Sequence, residues 1–323
     1  MTLSQSRLPI QAIIGLAIFL LQMPGRAQET IRVSVDSLGV ESDANSLCPS
    51  ISANGQAVAF SSLASNFVPG DTNGSYDIFL RDMASSTTTL ISRGTTGSPA
   101  DSSSFSPSVS ADAHIVAFAS FATDLISVDT NGLLDVFVFD ATITTITRVS
   151  VGPMGLQGNG ESGAPAISAN GRYVLFQSAA SNLVSDDTNN KYDVFVHDRV
   201  TGVTTRASMA PGGSEGNGDS FAGAISADGA VVAFYSYASN LVSGDSNGVS
   251  DVFVRDMVTG VTKRVSVASS GAQGRFGSLF ASLSADGQIV AFRSDASNLV
   301  LGDTNGSADI FVHDIASVAS HAF

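Results

Sequence analysis

Cys48 is the only cysteine in the 323 residues, so no disulfide can form within the chain, and a fold of this length must be held by packing. Tryptophan is absent, which removes the commonest platform for stacking sugars. The four histidines, His114, His197, His313 and His321, are scattered and have neither a three-histidine nor a His-Cys metal spacing. Basic residues are few. Fifteen lysines and arginines stand against 29 acids, for a formal charge of −14, which argues against nucleic acid or an anionic membrane surface as a partner. Aspartate makes up 25 of those acids, and aspartate is poor in helices and strands but favoured in turns, caps and hard-cation sites. The composition is therefore that of strands joined by many turns.

Residues 1–27 have the layout of a secretory signal peptide: a short polar start with Arg7, an apolar stretch from Leu8 to Met23, then Gly25 and Ala27. Cleavage is expected after Ala27, delivering the protein to the periplasm or the extracellular space. A retained anchor is the alternative, but Gln11, Gly15 and Gln22 interrupt an apolar core that is short for a span. Cleavage would remove Arg7 and Arg26 and no acid, making the mature chain more negative by two. No later apolar run is long enough to span a membrane, so the mature chain is expected to be soluble and monomeric.

The remaining sequence is a repeat of 58 residues. PSISANGQAVAFSS at Pro49 recurs from Pro107, Pro165, Gly223 and Ala281. Each unit reads as four short strands: one ending at an Asn-Gly or Asp-Gly hairpin turn, an apolar strand such as AVAFSS, a third such as DIFLRD, and a fourth such as TRVSV. Only the second copy departs at the hairpin, with Asp112-Ala113. The fourth strand at Arg264 has counterparts at positions 206, 148 and 90, and one further step back reaches Arg32-Val33-Ser34-Val35. Five copies of strands one to three, with one fourth strand ahead of the first, are the layout of a circularly closed propeller. The expectation is an all-β domain over 31–323, a five-bladed β-propeller of four-stranded antiparallel blades. Residues 31–35 would close the last blade. A truncated array of six or more blades is the alternative.

The unit SADGxxVAFxS…DVFVRD resembles the β-propeller repeat of the TolB type, also described as WD-repeat-like, over residues 31 to about 320. The resemblance implies the fold and says little of function. Ala53, Ala111, Ala169, Ala227 and Ala285 stand where the family motif has proline, and Phe79, Phe137, Phe195, Phe253 and Phe311 where tyrosine is commoner. TolB carries an α/β domain ahead of its propeller, for which this sequence has no room, so a role in a Tol-Pal complex is not implied.

Each unit exceeds the usual propeller repeat by about 15 residues. The excess lies between strands two and three and in the Gly-rich linkers, which emerge on one face of a four-stranded meander. A protein or glycan partner is expected there. The second-to-third loop carries DxNGxxD in every copy: Asp71, Asn73 and Asp77; Asp129, Asn131 and Asp135; Asp187, Asn189 and Asp193; Asp245, Asn247 and Asp251; Asp303, Asn305 and Asp309, with Asn190 replacing the glycine in the third. The pattern looks like the central part of calcium loops in EF-hand-like and integrin-type repeats. It supplies about four oxygen ligands where calcium takes roughly 6–8, so waters or Asn66 would complete a weak site. The same residues make Asx-turns without metal, and both readings stand at this point. Asp82, Asp140, Asp198, Asp256 and Asp314 read as turn caps, and Ser52, Ser110, Ser168, Ser226 and Ser284 as turn or ladder partners outside any GxSxG context.

Some five-bladed propellers are glycosidases, which need unequal carboxylates in the central channel. The innermost strands PSIS, PSVS, PAIS, GAIS and ASLS contain no acid, histidine or basic residue. A hydrolase would have to use linker acids such as Glu161, Glu215 or Asp219, with Tyr235 and Tyr237 as an asymmetric aromatic pair. The leading expectation is an exported binding scaffold without catalysis, calcium-stabilised if the loops bind metal; the glycan hydrolase is the alternative.

Overall fold

Short apolar strands punctuated by Asn-Gly and Asp-Gly turns fold as hairpins, and three consecutive hairpin connections make a four-stranded meander. The structure, a computed structural model, describes residues 29–315; the leader, His321 and the last residues of the expected domain lie outside them. The chain divides into Met1–Arg32 and Val33–Phe323, and the second unit contains all the strands.

Blade 1 is β1 (Ser46–Ile51), β2 (Ala57–Ser62), β3 (Asp77–Asp82) and β4 (Thr87–Leu90). Blade 2 is β5 (Ser104–Val109), β6 (Ile115–Ser120), β7 (Asp135–Asp140) and β8 (Thr145–Arg148). Blade 3 is β9 (Ser162–Ile167), β10 (Tyr173–Ser178), β11 (Asp193–Asp198) and β12 (Val203–Arg206). Blade 4 is β13 (Ser220–Ile225), β14 (Val231–Ser236), β15 (Asp251–Asp256) and β16 (Thr262–Arg264), and blade 5 is β17 (Ser278–Leu283), β18 (Ile289–Ser294) and β19 (Asp309–Asp314). Every pairing is antiparallel between neighbours in sequence, which makes five blades, four of them four-stranded and the fifth three-stranded.

The core is repeated with the blades. At the centre of each, a phenylalanine of the second strand sits directly opposite one of the third, as in Phe60 with Phe79 and Phe234 with Phe253. These rings stack at 5.7–6.0 Å in all five blades. The second strand is buried on both faces because the next blade's inner strand packs against it, so β2 and β6 have no exposed residue. Each inner strand carries a bulge, with positive φ at Cys48, Ser106, Ala164 and Phe280. The bulge turns the start of the inner strand towards the loop-rich face.

The backbone also joins blade to blade. The N–H of Ala53 donates to the carbonyl of Ala111 (3.2 Å), that of Ala111 to Ala169 (3.0 Å), that of Asn170 to Ala227 (3.4 Å) and that of Ala227 to Ala285 (2.8 Å). Alanine in place of the motif's proline supplies this donor at three of the four junctions.

The expected closing strand is a correction. β19 has no fourth strand beside it among the described residues; Val35 makes the bridge to Glu41 that Val151 makes to Gln157, Met209 to Glu215 and Val267 to Gln273. The contacts of that segment with blade 1 are those its counterparts make with the blade that follows them, as Val151 does with Thr204 and Met209 with Thr262. The Thr88 hydroxyl donates to the carbonyl of Val35 (2.5 Å), Arg81 donates to that of Asp36 (3.0 Å), and Val33 packs against the cluster of Phe60, Phe67 and Phe79. Consecutive inner strands pack from β1 through β17, but no contact of like extent returns from blade 5 to blade 1 among the described residues. A Cβ added at Gly171 or Gly287 would strike the preceding blade, at Ile115 or Val231, whereas at Gly55 it would meet nothing.

Candidate functional site: the loop-rich face

The loops between second and third strands resolve into Asx-turns cross-linked to the blade. In blade 1 the Asn73 side-chain oxygen accepts from the N–H of Ser75 (2.9 Å), and its amide donates to Asp77 (2.7 Å) and to the carbonyl of Ala100 (2.9 Å). The Ser92 hydroxyl donates to the other oxygen of Asp77 (2.6 Å), and Asp71 accepts from the backbone of Asn73. The Asn-to-Asp and Ser-to-Asp bonds recur in blades 2, 3 and 4, through Asn131, Asn189 and Asn247 and through Ser150, Ser208 and Ser266. In blade 5 Asn305 donates to Asp309 (3.0 Å).

A residue that the sequence reading passed over completes these loops. Arg206 lies 3.5 Å from Asp187, 3.2 Å from Asp193 and 2.9 Å from Glu215. Arg148 spans Asp129 (3.4 Å) and Asp135 (3.5 Å), and Arg264 spans Asp245 (3.1 Å) and Asp251 (3.3 Å). The signal was present: an arginine at the head of RVSV, recurring in step with the two aspartates. Blade 1 breaks it, because Leu90 occupies the position and packs with Phe60, Phe67 and Phe79. Burial then pushes the Asp77 carboxyl up to about 6 in spite of its hydrogen bonds, and Asp187 reaches about 6 through burial and the neighbouring Asp193.

The side chains of these loops are engaged with one another. The asparagine turns its amide nitrogen, not its oxygen, towards the aspartate, and in blades 2 to 4 a guanidinium fills the space between the carboxylates. Among the described residues no three His, Cys, Asp or Glu side chains are grouped as a metal would require. The remaining polar residues hold turns: Ser52 donates to Asn54 (2.8 Å) and accepts from the N–H of Ala57, and Asp82 accepts from Ala84 and Ser85.

Asymmetry appears at the mouth of the inner strands. Tyr192 heads β11, Phe221 lies at the start of β13, Tyr235 at the end of β14, Tyr237 just beyond it, and Phe280 at the start of β17. Phe221 stacks between Tyr192 (5.8 Å) and Tyr235 (5.0 Å), with Tyr237 edge-on to Phe221 (6.4 Å) and Phe280 edge-on to Tyr235 (6.2 Å). Tyr237 and Phe280 are 55% and 67% exposed. The Tyr192 hydroxyl donates to Glu161 (3.4 Å), its N–H donates to Asp219 (3.0 Å), and burial with the Glu161 charge raises the phenol's pKa. A smaller group, Tyr76, Phe105 and Phe121, occupies the corresponding end of blades 1 and 2.

The acids considered for hydrolysis each have a partner. Glu215 is held by Thr188 and then by Arg206, which keep its carboxyl below the ordinary range, while Glu161 and Asp219 are both engaged by Tyr192.

Antiparallel four-stranded blades stacked by their inner strands define the β-propeller class. Among solved structures, putative TolB from Agrobacterium tumefaciens is similar at TM-score 0.51 and 15% identity, over 84% of this chain and 78% of that one. TolB from Acinetobacter baumannii is similar at 0.46 and 17%, over 86% and 53%, so the present chain spans about half the length of that protein. The tricorn protease is similar at 0.50 and 12%, over 90% of this chain and 31% of that one. No protein family's sequence profile and no curated relative matches the chain. The protein is a β-propeller repeat protein of TolB-like fold.

Proposed function

We infer that the protein is an exported binding scaffold that takes a protein partner at the aromatic mouth of its loop-rich face. The observation that carries this reading is where the repeat breaks. The core phenylalanines, turn serines and loop aspartates recur in all five copies. The position of Tyr235 is Ser61, Ala119, Gln177 and Arg293 elsewhere, and that of Phe280 is Cys48, Ser106, Ala164 and Ala222. Folding alone does not ask for such variation, nor for a bulky exposed ring at positive φ such as Phe280 (56°). Stacked, half-exposed tyrosines offer a rigid apolar bed with polar tips, the composition that protein interfaces favour at their centres. The surrounding negative charge favours a basic partner surface. Export rests on the leader layout of residues 1–27, and among the described residues no helix is long and apolar enough to cross a membrane. We assign no catalytic activity.

The reading is tested by placing a photo-crosslinking phenylalanine analogue at Tyr237 on the loop-rich face and at Val200, in a third-to-fourth turn on the opposite face. Irradiation in cell-envelope extract should yield a discrete protein adduct from position 237 only. Equal labelling from both positions, or none from 237, removes the reading.

A further inference from the structure

On the face opposite the aromatic mouth the turns of neighbouring blades meet, and an arginine seals one junction where the next is left hollow. Between blades 2 and 3, Arg199 lies across the gap: its guanidinium donates to Asp140 of blade 2 (3.0 Å) and to the carbonyl of Gly171 in its own blade (2.7 Å). One repeat on, between blades 3 and 4, the corresponding residues are Asp198, Gly229 and, in place of the arginine, Met257. The thioether is neutral and donates nothing. A cavity of about 450 Å³ lies there, bordered by Met257, Asp198 and Gly229.

The hollow keeps the features that receive a guanidinium at the earlier junction. Its floor is apolar, made by Tyr173, Val196 and Met257, which pack together between the two blades and can cover an alkyl stem. The Gly229 carbonyl stands where that of Gly171 accepts from Arg199. The charges differ, and the difference points to a cation from outside. Between blades 2 and 3, Asp140 is matched by Arg199, and the turn residue before Gly171 is the neutral Asn170. Between blades 3 and 4, Arg172 takes both oxygens of Asp198 (2.8 and 2.7 Å), so that pair is matched within blade 3, but the turn residue before Gly229 is Asp228, which also lines the cavity. Asp228 accepts at Oδ1 from Ser226 (2.6 Å) and from the N–H of Ala230 (2.9 Å), bonds that hold its carboxyl below the usual carboxylate range. No basic side chain is paired with it among the described residues. One negative charge at the rim is therefore left over.

We propose that this cavity is a binding site for an alkylguanidinium, either a free small guanidine or the end of an arginine side chain, with its stem over Tyr173, Val196 and Met257 and its fork on the Gly229 carbonyl and the Asp228 carboxylate. A guanidinium suits the place better than an ammonium, because the two acceptors are neighbours in one turn and a planar fork presents two donors to them at once. The chain uses the same chemistry one repeat earlier, where Arg199 divides its fork between a turn carbonyl and a carboxylate. This site is independent of the aromatic mouth.

Met257 provides the reporter. Propylguanidinium is titrated into the full mature chain carrying isotopically labelled methionine methyl groups, and the methyl signals are followed by NMR. A saturable shift of Met257 is expected at millimolar ligand, with the exposed Met154 unmoved. Asp228→Asn should weaken binding about fivefold, the scale of an exposed ion pair. The fold tolerates that change, since Asn54 and Asn170 hold the same place in blades 1 and 3. Propylammonium should bind more weakly than propylguanidinium. Acetyl-Gly-Arg-Gly amide, titrated in the same way, separates the two sources: a Met257 shift places an arginine side chain within reach of the site, and no shift restricts the ligand to free guanidines. Absence of a saturable Met257 shift with propylguanidinium overturns the proposal. So do a shift shared equally by Met154, binding indifferent to Asp228→Asn, or propylammonium binding as tightly.

Discussion

Ala111 and Ala169 occupy the same place in successive units, yet only the first uses its N–H between blades; at the second junction the neighbouring Asn170 donates instead. Proline, the residue of the TolB-type motif, should therefore be unequal at the two positions. Ala111→Pro removes a donor and strands a carbonyl, at a cost of about 1–2 kcal/mol, while Ala169→Pro should lie within about 0.5 kcal/mol of the parent. Urea unfolding of the two variants decides this, and equal losses would mean that the inter-blade bond carries nothing. The arginines make a larger contribution. Arg206 is almost wholly buried among Asp187, Asp193 and Glu215, so Arg206→Met should destabilise by about 3–5 kcal/mol through the uncompensated carboxylates left behind. Acid should relieve part of that loss. Asp77 and Asp187 titrate at about 6 when folded, above the ordinary 3.8, so the folded state binds more protons than the unfolded between these values. Their contribution is fully present below about pH 4 and is lost as pH rises through about 6. Asp198 and Asp256, held low by Arg172 and by backbone N–H groups, act in the opposite sense at lower pH. Urea midpoints should rise from pH 7 to pH 5 and then fall, and Asp77→Asn should flatten the first part of that curve. A midpoint that falls steadily from pH 7 would contradict the burial of these carboxyls.

At the scale of elements, the hairpins and the paired third strands were legible because alternation, turn dipeptides and a period of 58 residues all mark the same boundaries. The one irregular hairpin, Asp112-Ala113, forms like the rest, with Ala113 at φ 65°. Space explains why alanine is tolerated there. At later junctions the preceding blade presents Ile115, Tyr173 or Val231 to the turn glycine, but blade 1 has the small Ala57 at the matching position. Ala113→Gly should stabilise by about 1 kcal/mol by relieving the left-handed backbone, whereas Gly171→Ala should destabilise because its Cβ would stand 2.8 Å from Ile115. Differential scanning calorimetry of the two variants should show melting temperatures moving in opposite directions. The loops were only half legible. Their Asp-Asn-Gly-Asp pattern is shared by calcium loops and Asx-turns, and the arginine that enters the loops of blades 2 to 4, 13 residues after the last aspartate as from Asp193 to Arg206, is a partner that pattern reading within the loop could not connect. If the loops are Asx-turns alone, thermal unfolding should be unchanged by millimolar calcium or by chelator; a rise of several degrees with calcium would decide for the metal reading.

Stacked repeats are stabilised by each unit and by the interfaces between neighbours, so an end unit with one neighbour is held less firmly than an interior one. Counting strands predicted a ring in which no blade is terminal, because the segment at 31–35 was to serve as the fifth blade's missing strand. The count was visible in the sequence, and Val33–Asp36 touches blade 1 through Thr88, Arg81 and the phenylalanine cluster as its counterparts touch the blades after them, but among the described residues it does not pair with β19. Among the described residues blade 5 has one blade-sized interface, to blade 4, and β19 exposes alternate residues. Amide hydrogen exchange reads the consequence directly, since protection follows the free energy of local opening. Residues of β6, β7, β10 and β11, buried between two blades, should exchange only on global unfolding. Those of β19 should exchange at least tenfold faster, with β18 intermediate through its pairing on both sides. Equal protection of all five blades would show that the outer edge of β19 is covered in solution.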